Sequence, residues 1–160
     1  MSWPSCRRSA VADLQIALHS DPFEPLQQLQ EWQQQLAQQG LIAAAESTFI
    51  GRVRGQAGDG SPLAALELEH YPGMTEQQLH TLAADSAHRH GVLAVLVQHR
   101  VGRLAPGEPI VLVAVAADRR GPAQRCCQEL LEALKHETPF WKREWRRDGS
   151  STWLSGNTPL

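Results

Sequence analysis

The chain has 160 residues, which is enough for one well-buried domain and too few for two independent ones. Its 42% hydrophobic and 20% charged residues are typical of a globular protein and exclude a wholly disordered or fibrous chain. The formal net charge of -2 excludes a generally basic surface, so nucleic acid is not expected as the main partner.

The first half of the chain predicts three strands and one helix. Leu14–Leu18 alternates apolar and polar residues and predicts a strand, and Leu26–Leu36 has apolar residues at helical spacing. Leu41–Val53 and Leu63–His70 have the composition of strands. Between these two strands, Arg54–Pro62 is rich in glycine, and we expect a loop that packs no core and is free to move.

The middle of the chain predicts a second helix followed by two buried strands. Thr75 and Gln78 have the spacing of a capping box, and Gly91 is suited to end the helix that follows. Val92–Gln98 and Ile110–Ala117 are apolar runs rich in β-branched residues, as expected of strands buried on both faces.

The last third predicts one helix and a hairpin. Pro122 suits the first turn of a helix, in which Cys126 and Cys127 fall on the apolar stripe and are expected to be core residues. Phe140–Arg146 and Thr152–Leu154 flank a turn signal and predict the hairpin. The order of elements predicts an α+β fold with a mostly antiparallel or mixed sheet.

The cysteines and chain ends favour a reduced, cytoplasmic protein. No apolar run reaches bilayer length, and Met1–Ala10 lacks the apolar core of a signal peptide. Cys6, Cys126 and Cys127 are odd in number and show no CxxC spacing, so neither a disulfide framework nor a zinc site is indicated. We expect one domain over residues 13–154, with tails over 1–12 and 155–160.

The sequence contains none of the common catalytic motifs, such as GxSxG or HExxH. Its cationic side chains therefore remain as candidates for catalytic or binding residues. Lys135 continues the row of Leu131 and Cys127 at steps of four and so lies at the edge of the buried stripe. We expect its amine to be partly desolvated, as proton transfer or covalent catalysis by lysine requires. The alternative is a lysine that complements the helix dipole and pairs with Glu132.

Lys142 is the second candidate. Alternation along the strand places it on the same face as Phe140. By pattern alone, an ordinary edge-strand lysine that discourages aggregation is the favoured interpretation.

Four arginines form two possible anion sites. Arg52 and Arg54 lead into the glycine-rich loop, whereas Arg119 and Arg120 precede the third helix, where free N–H groups favour anions. Solvated surface charge is the alternative for both pairs.

Four histidines lie at the ends of predicted elements, namely His70, His88, His90 and His99. None of them has a convincing set of metal-ligand partners in the sequence. A lone histidine in such a place is more often a surface or capping group, so no metal site is expected.

Four strings, in order along the chain, resemble segments of molybdopterin synthase large subunits. They are FIGRVRG at Phe49–Gly55, LELEHYPGMTE at Leu66–Glu76, HRVGRLAPGE at His99–Glu108 and LKHETPFWKRE at Leu134–Glu144. The similarity extends from about Asp13 to Leu154, which is nearly the whole chain.

This resemblance implies an α/β-hammerhead fold and a central homodimer with a small ubiquitin-like carrier subunit at each end. The Gly-Gly thiocarboxylate of the carrier would enter a pocket of the large subunit. It would deliver two sulfurs to cyclic pyranopterin monophosphate, open the cyclic phosphate and form the dithiolene of molybdopterin, without a metal or organic cofactor. The family's two active-site lysines correspond to Lys135 and Lys142, and its pocket arginine to Arg54. As substrate-binding residues we add Arg119 and Arg120.

Two departures from the family pattern keep an alternative open. Arg119–Arg120 stands where the family commonly has His-Arg, and Asn157 replaces an arginine that some relatives contribute across the dimer; Arg146 or Arg147 is a candidate substitute. The alternative function is a catalytically impaired module that still binds the carrier. An unrelated Schiff-base enzyme with a desolvated lysine is a more distant possibility.

Overall fold

The computed structural model describes residues 11–155 of the chain, in which three helices and eight strands are found. In chain order these are β1 Asp13–His19, α1 Pro25–Gln38, β2 Ala45–Arg52, β3 Leu63–His70, α2 Met74–His90, β4 Ala94–Arg100, β5 Gly102–Leu104, β6 Pro109–Ala117, α3 Arg120–His136, β7 Phe140–Arg146 and β8 Ser151–Trp153. The predicted α+β class is therefore confirmed. Cys6, Asn157 and most of the two predicted tails lie outside the described residues.

The larger sheet has the strand order β1-β4-β6-β2. β1 pairs with β4 in parallel, whereas β6 is antiparallel to both of its neighbours. Successive side chains of a strand point to opposite faces, and both faces of β4 are buried. Val95 and Val97 pack in one core, and Ala94 and Leu96 in another, which explains the uninterrupted apolar run in the sequence.

Helices cover both faces of this sheet. α2 and α3 pack with Val95 and Val97, and α1 places Trp32 and Leu36 against the opposite core. Cys126 and Cys127 are free and buried on the inner stripe of α3, which confirms that they are core residues. Burial raises the pKa of both thiols, as expected for cysteines that pack rather than react.

The smaller sheet has the order β5-β3-β7-β8 and is antiparallel throughout. In its register, Leu68 lies opposite Lys142 and Leu66 opposite Glu144. Leu66 and Leu68 pack with Val53 in a third core, so this face of the sheet turns toward the rest of the protein. The predicted hairpin is confirmed as β7 and β8, but the three-residue strand β5 was missed.

Several predicted boundaries were wrong; β4, for example, is Ala94–Arg100 rather than Val92–Gln98. β2 begins at Ala45 rather than Leu41, and α2 begins before Thr75. The side chain of Glu76, not that of Gln78, reaches back to accept a hydrogen bond from the Gly73 N–H at 2.6 Å. Thr75 is buried, and its hydroxyl accepts from the Tyr71 N–H at 3.1 Å, which fixes the chain entering the helix.

Candidate active site

A cavity of about 430 Å³ lies where the smaller sheet meets the end of α3 and the end of β2. Its apolar lining includes Phe49, Leu66, Leu68, Leu134 and Phe140. Its charged or titratable lining residues are Arg52, Arg54, His99, Lys135, Lys142 and Glu144. Cations thus outnumber carboxylates, and the cavity is suited to anionic groups.

The sequence contains two lysines, and both line this cavity. Lys135 comes from the last turn of α3, where it is half-buried as its place at the edge of the apolar stripe predicts. Lys142 comes from β7, a strand paired on both sides, so the interpretation of an edge-strand lysine is wrong. Two separate elements thus bring two amines to one cavity.

The electrostatic environment of Lys142 is unusual for a lysine. Burial lowers its pKa, and the positive charge of Lys135 lowers it further. An anion bound between the two amines would offset both effects and favour the ammonium form. An anionic ligand in the cavity would therefore raise the pKa of Lys142 back toward its ordinary value.

Arg54 lies at the edge of the cavity, two residues beyond β2, and its side chain is exposed. It also lines an adjoining open pocket together with Gly55, Gly58 and Arg147. Arg52 has a structural contact, because its Nη1 donates a hydrogen bond to the carbonyl oxygen of Gly107 at 3.2 Å. Of the two arginines, Arg54 is thus the better placed to contact a ligand.

The glycine-rich loop beside Arg54 has more internal order than its sequence predicts. The Ala57 N–H donates to the Ser61 carbonyl at 2.9 Å, the Leu63 N–H donates to the Gly55 carbonyl at 3.0 Å, and Ala57 is buried. The expectation that this loop packs no core is therefore wrong at Ala57, whereas its freedom to move stays a prediction.

Arg146 ties the same loop to the β7–β8 hairpin. Its Nε donates to Ser61 Oγ at 3.1 Å, its Nη1 to Thr152 Oγ1 at 2.9 Å, and its Nη2 lies 3.4 Å from Asp59 Oδ2. Hydrogen bonds from Ser61, and then the charge of Arg146, lower the pKa of Asp59. One guanidinium thus joins two segments that border the cavity.

His99 is the functional candidate that sequence reasoning missed. It was interpreted as a surface or capping group, but it is only 7% exposed and lines the cavity. Its ring stacks on Phe140, with centroids 4.2 Å apart and an interplanar angle of 11°. The missed signal was alternation along β4, which places His99 on the same face as the buried Val95 and Val97.

Arg119 and Arg120 lie apart from this cavity, at the start of α3, and both are exposed. Because Lys135 is fifteen residues further along the same helix, its Cα lies about 22 Å from that of Arg120. The structure therefore does not bring these arginines together with Lys135, Lys142 and Arg54 within one chain.

The carboxylates do not form a metal centre with these groups. Of the carboxylates in residues 11–155, Glu144 alone lines the cavity. Among residues 11–155, no three His, Cys, Asp or Glu side chains are grouped as the ligands of a metal ion would be. Nor does any helix in this range have the length and apolar character needed to cross a bilayer.

Comparison with known proteins gives a consistent result. The profile of the MoaE protein family matches residues 19–137. The molybdopterin synthase catalytic subunit of Pseudomonas aeruginosa is 38% identical over 141 residues, which cover 88% of this chain and 90% of the relative. That of Ralstonia nicotianae is 46% identical over 106 residues, which cover 66% of this chain and 60% of the relative.

Solved structures show the same fold. The molybdopterin biosynthesis MoaE protein of Burkholderia ambifaria superimposes with a TM-score of 0.71 at 37% sequence identity, and the match covers 92% of this chain and 91% of that protein. The similarity therefore includes both sheets and all three helices, and with them the elements that form the cavity.

Proposed function

Because the chain belongs to the MoaE family, whose members in these comparisons are molybdopterin synthase catalytic subunits, we propose that its cavity is a sulfur-transfer site. The sulfur donor is the C-terminal thiocarboxylate of a small carrier subunit, and the acceptor is cyclic pyranopterin monophosphate. Two carriers in succession each give one sulfur and are left as carboxylates, and the product carries the dithiolene of molybdopterin.

One observation carries this proposal. Lys135, Lys142 and Arg54 come from a helix, a strand and a loop, and all three line one cavity. The thiocarboxylate tail and the substrate phosphate are both anionic, and negative charge develops on oxygen when the tail reacts. Fixed cations stabilise such charge strongly in a site from which water is excluded.

The two lysines are assigned different steps. Lys135, at the end of α3, handles proton transfer or transient acyl contact at the carrier tail. Lys142, whose pKa is lowered by burial and by Lys135, binds the pterin intermediate and polarises it. A lowered pKa makes this amine easier to deprotonate than an ordinary lysine, which suits this second role.

Arg54 and Arg147 are proposed to hold the substrate phosphate. They line the same pocket beside the main cavity, and in the part of the chain that the structure describes no carboxylate contributes to its lining. Arg146, the other candidate, is engaged with Asp59, Ser61 and Thr152. Some relatives have an arginine where this chain has Asn157. Of its two candidate substitutes, Arg146 and Arg147, the second is therefore favoured.

The assembly is also a proposal. The relatives are named catalytic subunits, which fits a complex with a separate carrier subunit. A homodimer is implied by the sequence resemblance. Since Arg119 and Arg120 lie about 22 Å from Lys135 along α3, they would bind substrate only in the cavity of a second copy of the chain.

Reconstitution tests the proposed function. The purified chain, the cognate carrier in its thiocarboxylated form and cyclic pyranopterin monophosphate are combined, and the dithiolene product is measured. We expect two carrier thiocarboxylates to be consumed per product molecule. A chain that binds the carrier firmly but forms no dithiolene would instead support the alternative of an impaired carrier-binding module.

Replacing Lys135 tests the role of the cavity within that assay. Lys135→Ala removes one of the cations that stabilise developing negative charge, so we expect product formation to slow by roughly 10²-fold or more. His136→Ala is the matched control, because His136 is the exposed neighbour in the same helical turn and should leave the rate unchanged. A full rate in Lys135→Ala would refute the assignment.

A further inference from the structure

His99 is held in one orientation by two contacts. Its ring stacks on Phe140, as described above, and its Nδ1 lies 2.7 Å from the carbonyl oxygen of Arg100. A carbonyl oxygen only accepts hydrogen bonds, so the proton of the ring is on Nδ1. The neutral imidazole therefore has its lone pair on Nε2, at the ring edge away from the backbone contact.

The same surroundings keep the ring uncharged. Burial, and then the positive charge of Lys142 and the neighbouring His70, lower the pKa of His99 to about 4, against the opposing effect of the bond to Arg100. At pH 7 a group with this pKa is protonated in roughly one molecule in a thousand. It is consequently a poor general base near neutral pH but a permanent hydrogen-bond acceptor.

Side chains that can accept a hydrogen bond are few in this cavity. Arg52, Arg54, Lys135 and Lys142 are donors, and the remaining lining side chains are apolar except for Glu144 and His99. The cations match the anionic parts of the two reactants. They cannot accept from the N–H groups on the edge of a pterin ring, which need hydrogen-bond acceptors.

We propose that His99 is a substrate-binding residue whose Nε2 accepts a hydrogen bond from an N–H group of the pterin ring. This inference rests on the proposed function and adds one contact to it. Arg54 and Arg147 hold the phosphate, Lys135 acts at the carrier tail and Lys142 polarises the pterin intermediate, while His99 accepts a hydrogen bond from the heterocycle. Stacking on Phe140 sets the position of the acceptor, because it fixes the plane of the imidazole.

Two substitutions separate the acceptor from the structural contact. His99→Asn keeps an N–H near the position of Nδ1, so it can retain the bond to Arg100, but it has no acceptor at the position of Nε2. His99→Gln places an amide oxygen near Nε2 and loses the bond to Arg100. The affinity for cyclic pyranopterin monophosphate is measured without the carrier, and kcat and KM are measured with it.

We expect His99→Asn to weaken pterin binding and raise KM by roughly three- to tenfold, the usual effect of one neutral hydrogen bond, with kcat little changed. His99→Gln should bind more tightly than His99→Asn, although its fold has lost a contact. The pH profile of kcat/KM above pH 5.5 should keep its shape in both variants, because a neutral acceptor does not titrate there.

A purely structural role predicts the reverse order, since His99→Gln loses the backbone bond and His99→Asn retains it. Tighter binding by His99→Asn than by His99→Gln, or a fall in kcat with a lost limb of the pH profile, would overturn the proposal. A pterin analogue methylated at the ring N–H gives a second test. It is compared with the unmethylated pterin in the wild type and in His99→Phe, which retains a stacked ring but has no acceptor. Methylation should lower the affinity for the wild type and change it little for His99→Phe.

Failure of the two proposals is distinguishable. Absence of dithiolene product with the carrier present would contradict sulfur transfer alone, because pterin binding is measured without turnover. Equal pterin affinity in the wild type and in His99→Asn would contradict the role of His99 alone.

Discussion

The lowered pKa of Lys142 gives a measurable property at the scale of one residue. Burial and the charge of Lys135 both disfavour the ammonium form, so the free amine appears at lower pH than for an exposed lysine. We expect an amine-reactive acylating reagent to modify Lys142 at a rate that rises with pH. The inflection of this pH profile, followed by mass spectrometry, should lie below the ordinary lysine pKa. The modified peptides are easy to assign because the sequence has only one other lysine, Lys135.

A bound anion should reverse this effect. A phosphate ester in the cavity stabilises the ammonium form, so the inflection for Lys142 should move to higher pH when the ester is added. The same titration of Lys142 in urea-unfolded protein is the control and should show the ordinary lysine value. An inflection that is equally high in the folded and unfolded protein would show that the amine is not desolvated.

Residue identities were more predictable than residue environments. Lys135, Lys142 and Arg54 were all candidates from the pattern of residues, and the resemblance favoured these three over the other cations. The burial of Lys142 was not predictable, because it depends on β7 being paired on both sides by β3 and β8. His99 was missed for a related reason: a histidine at the end of a strand is exposed unless another element covers it, and here Phe140 does so.

At the scale of elements, the joint between the glycine-rich loop and the β7–β8 hairpin depends on Arg146. Arg146→Ala removes its contacts with Asp59, Ser61 and Thr152. We expect amide hydrogen exchange to become faster over residues 55–62, while the global unfolding free energy changes little, because an ion pair with an exposed carboxylate is screened by water.

Arg147→Ala is the matched control for that experiment. Arg147 is adjacent in sequence but lines the pocket beside Arg54, so its loss should leave loop exchange unchanged and weaken binding of a phosphate analogue. If the two variants gave the same exchange pattern, the proposed division of labour between Arg146 and Arg147 would not hold.

The elements themselves were largely predictable because their apolar residues recur at the periods of helices and strands. Leu63–His70 and Phe140–Arg146 were predicted with the bounds that the structure has. β5 was missed because three residues are too few to show a period. The start of α2 was misplaced because the sequence contains two possible caps. Thr75 has the side chain of a usual N-cap residue, but the N-cap is Gly73, with φ near +83°, and the Glu76 carboxylate accepts from its N–H.

At the scale of the whole molecule, the cavity results from how two sheets meet. The larger sheet carries β2 and β4, which lead to Arg54 and His99, and the smaller sheet carries Lys142 on β7. α3 packs on the larger sheet and ends with Lys135 at the junction. The periodicity of the sequence does not predict how the two sheets are arranged, because that arrangement depends on contacts between residues far apart in the chain. The shared cavity was expected only from the family resemblance.

The most direct test of the shared cavity is a zero-length cross-link. Carbodiimide treatment of the complex joins a carboxylate of the carrier to an amine of this chain only when the two are in contact. We expect the C-terminal glycine of the carrier to be joined to Lys135 or Lys142, and excess cyclic pyranopterin monophosphate to change the yield. A carrier terminus joined only to the N-terminal amine of this chain, in a complex that is otherwise intact, would contradict the account.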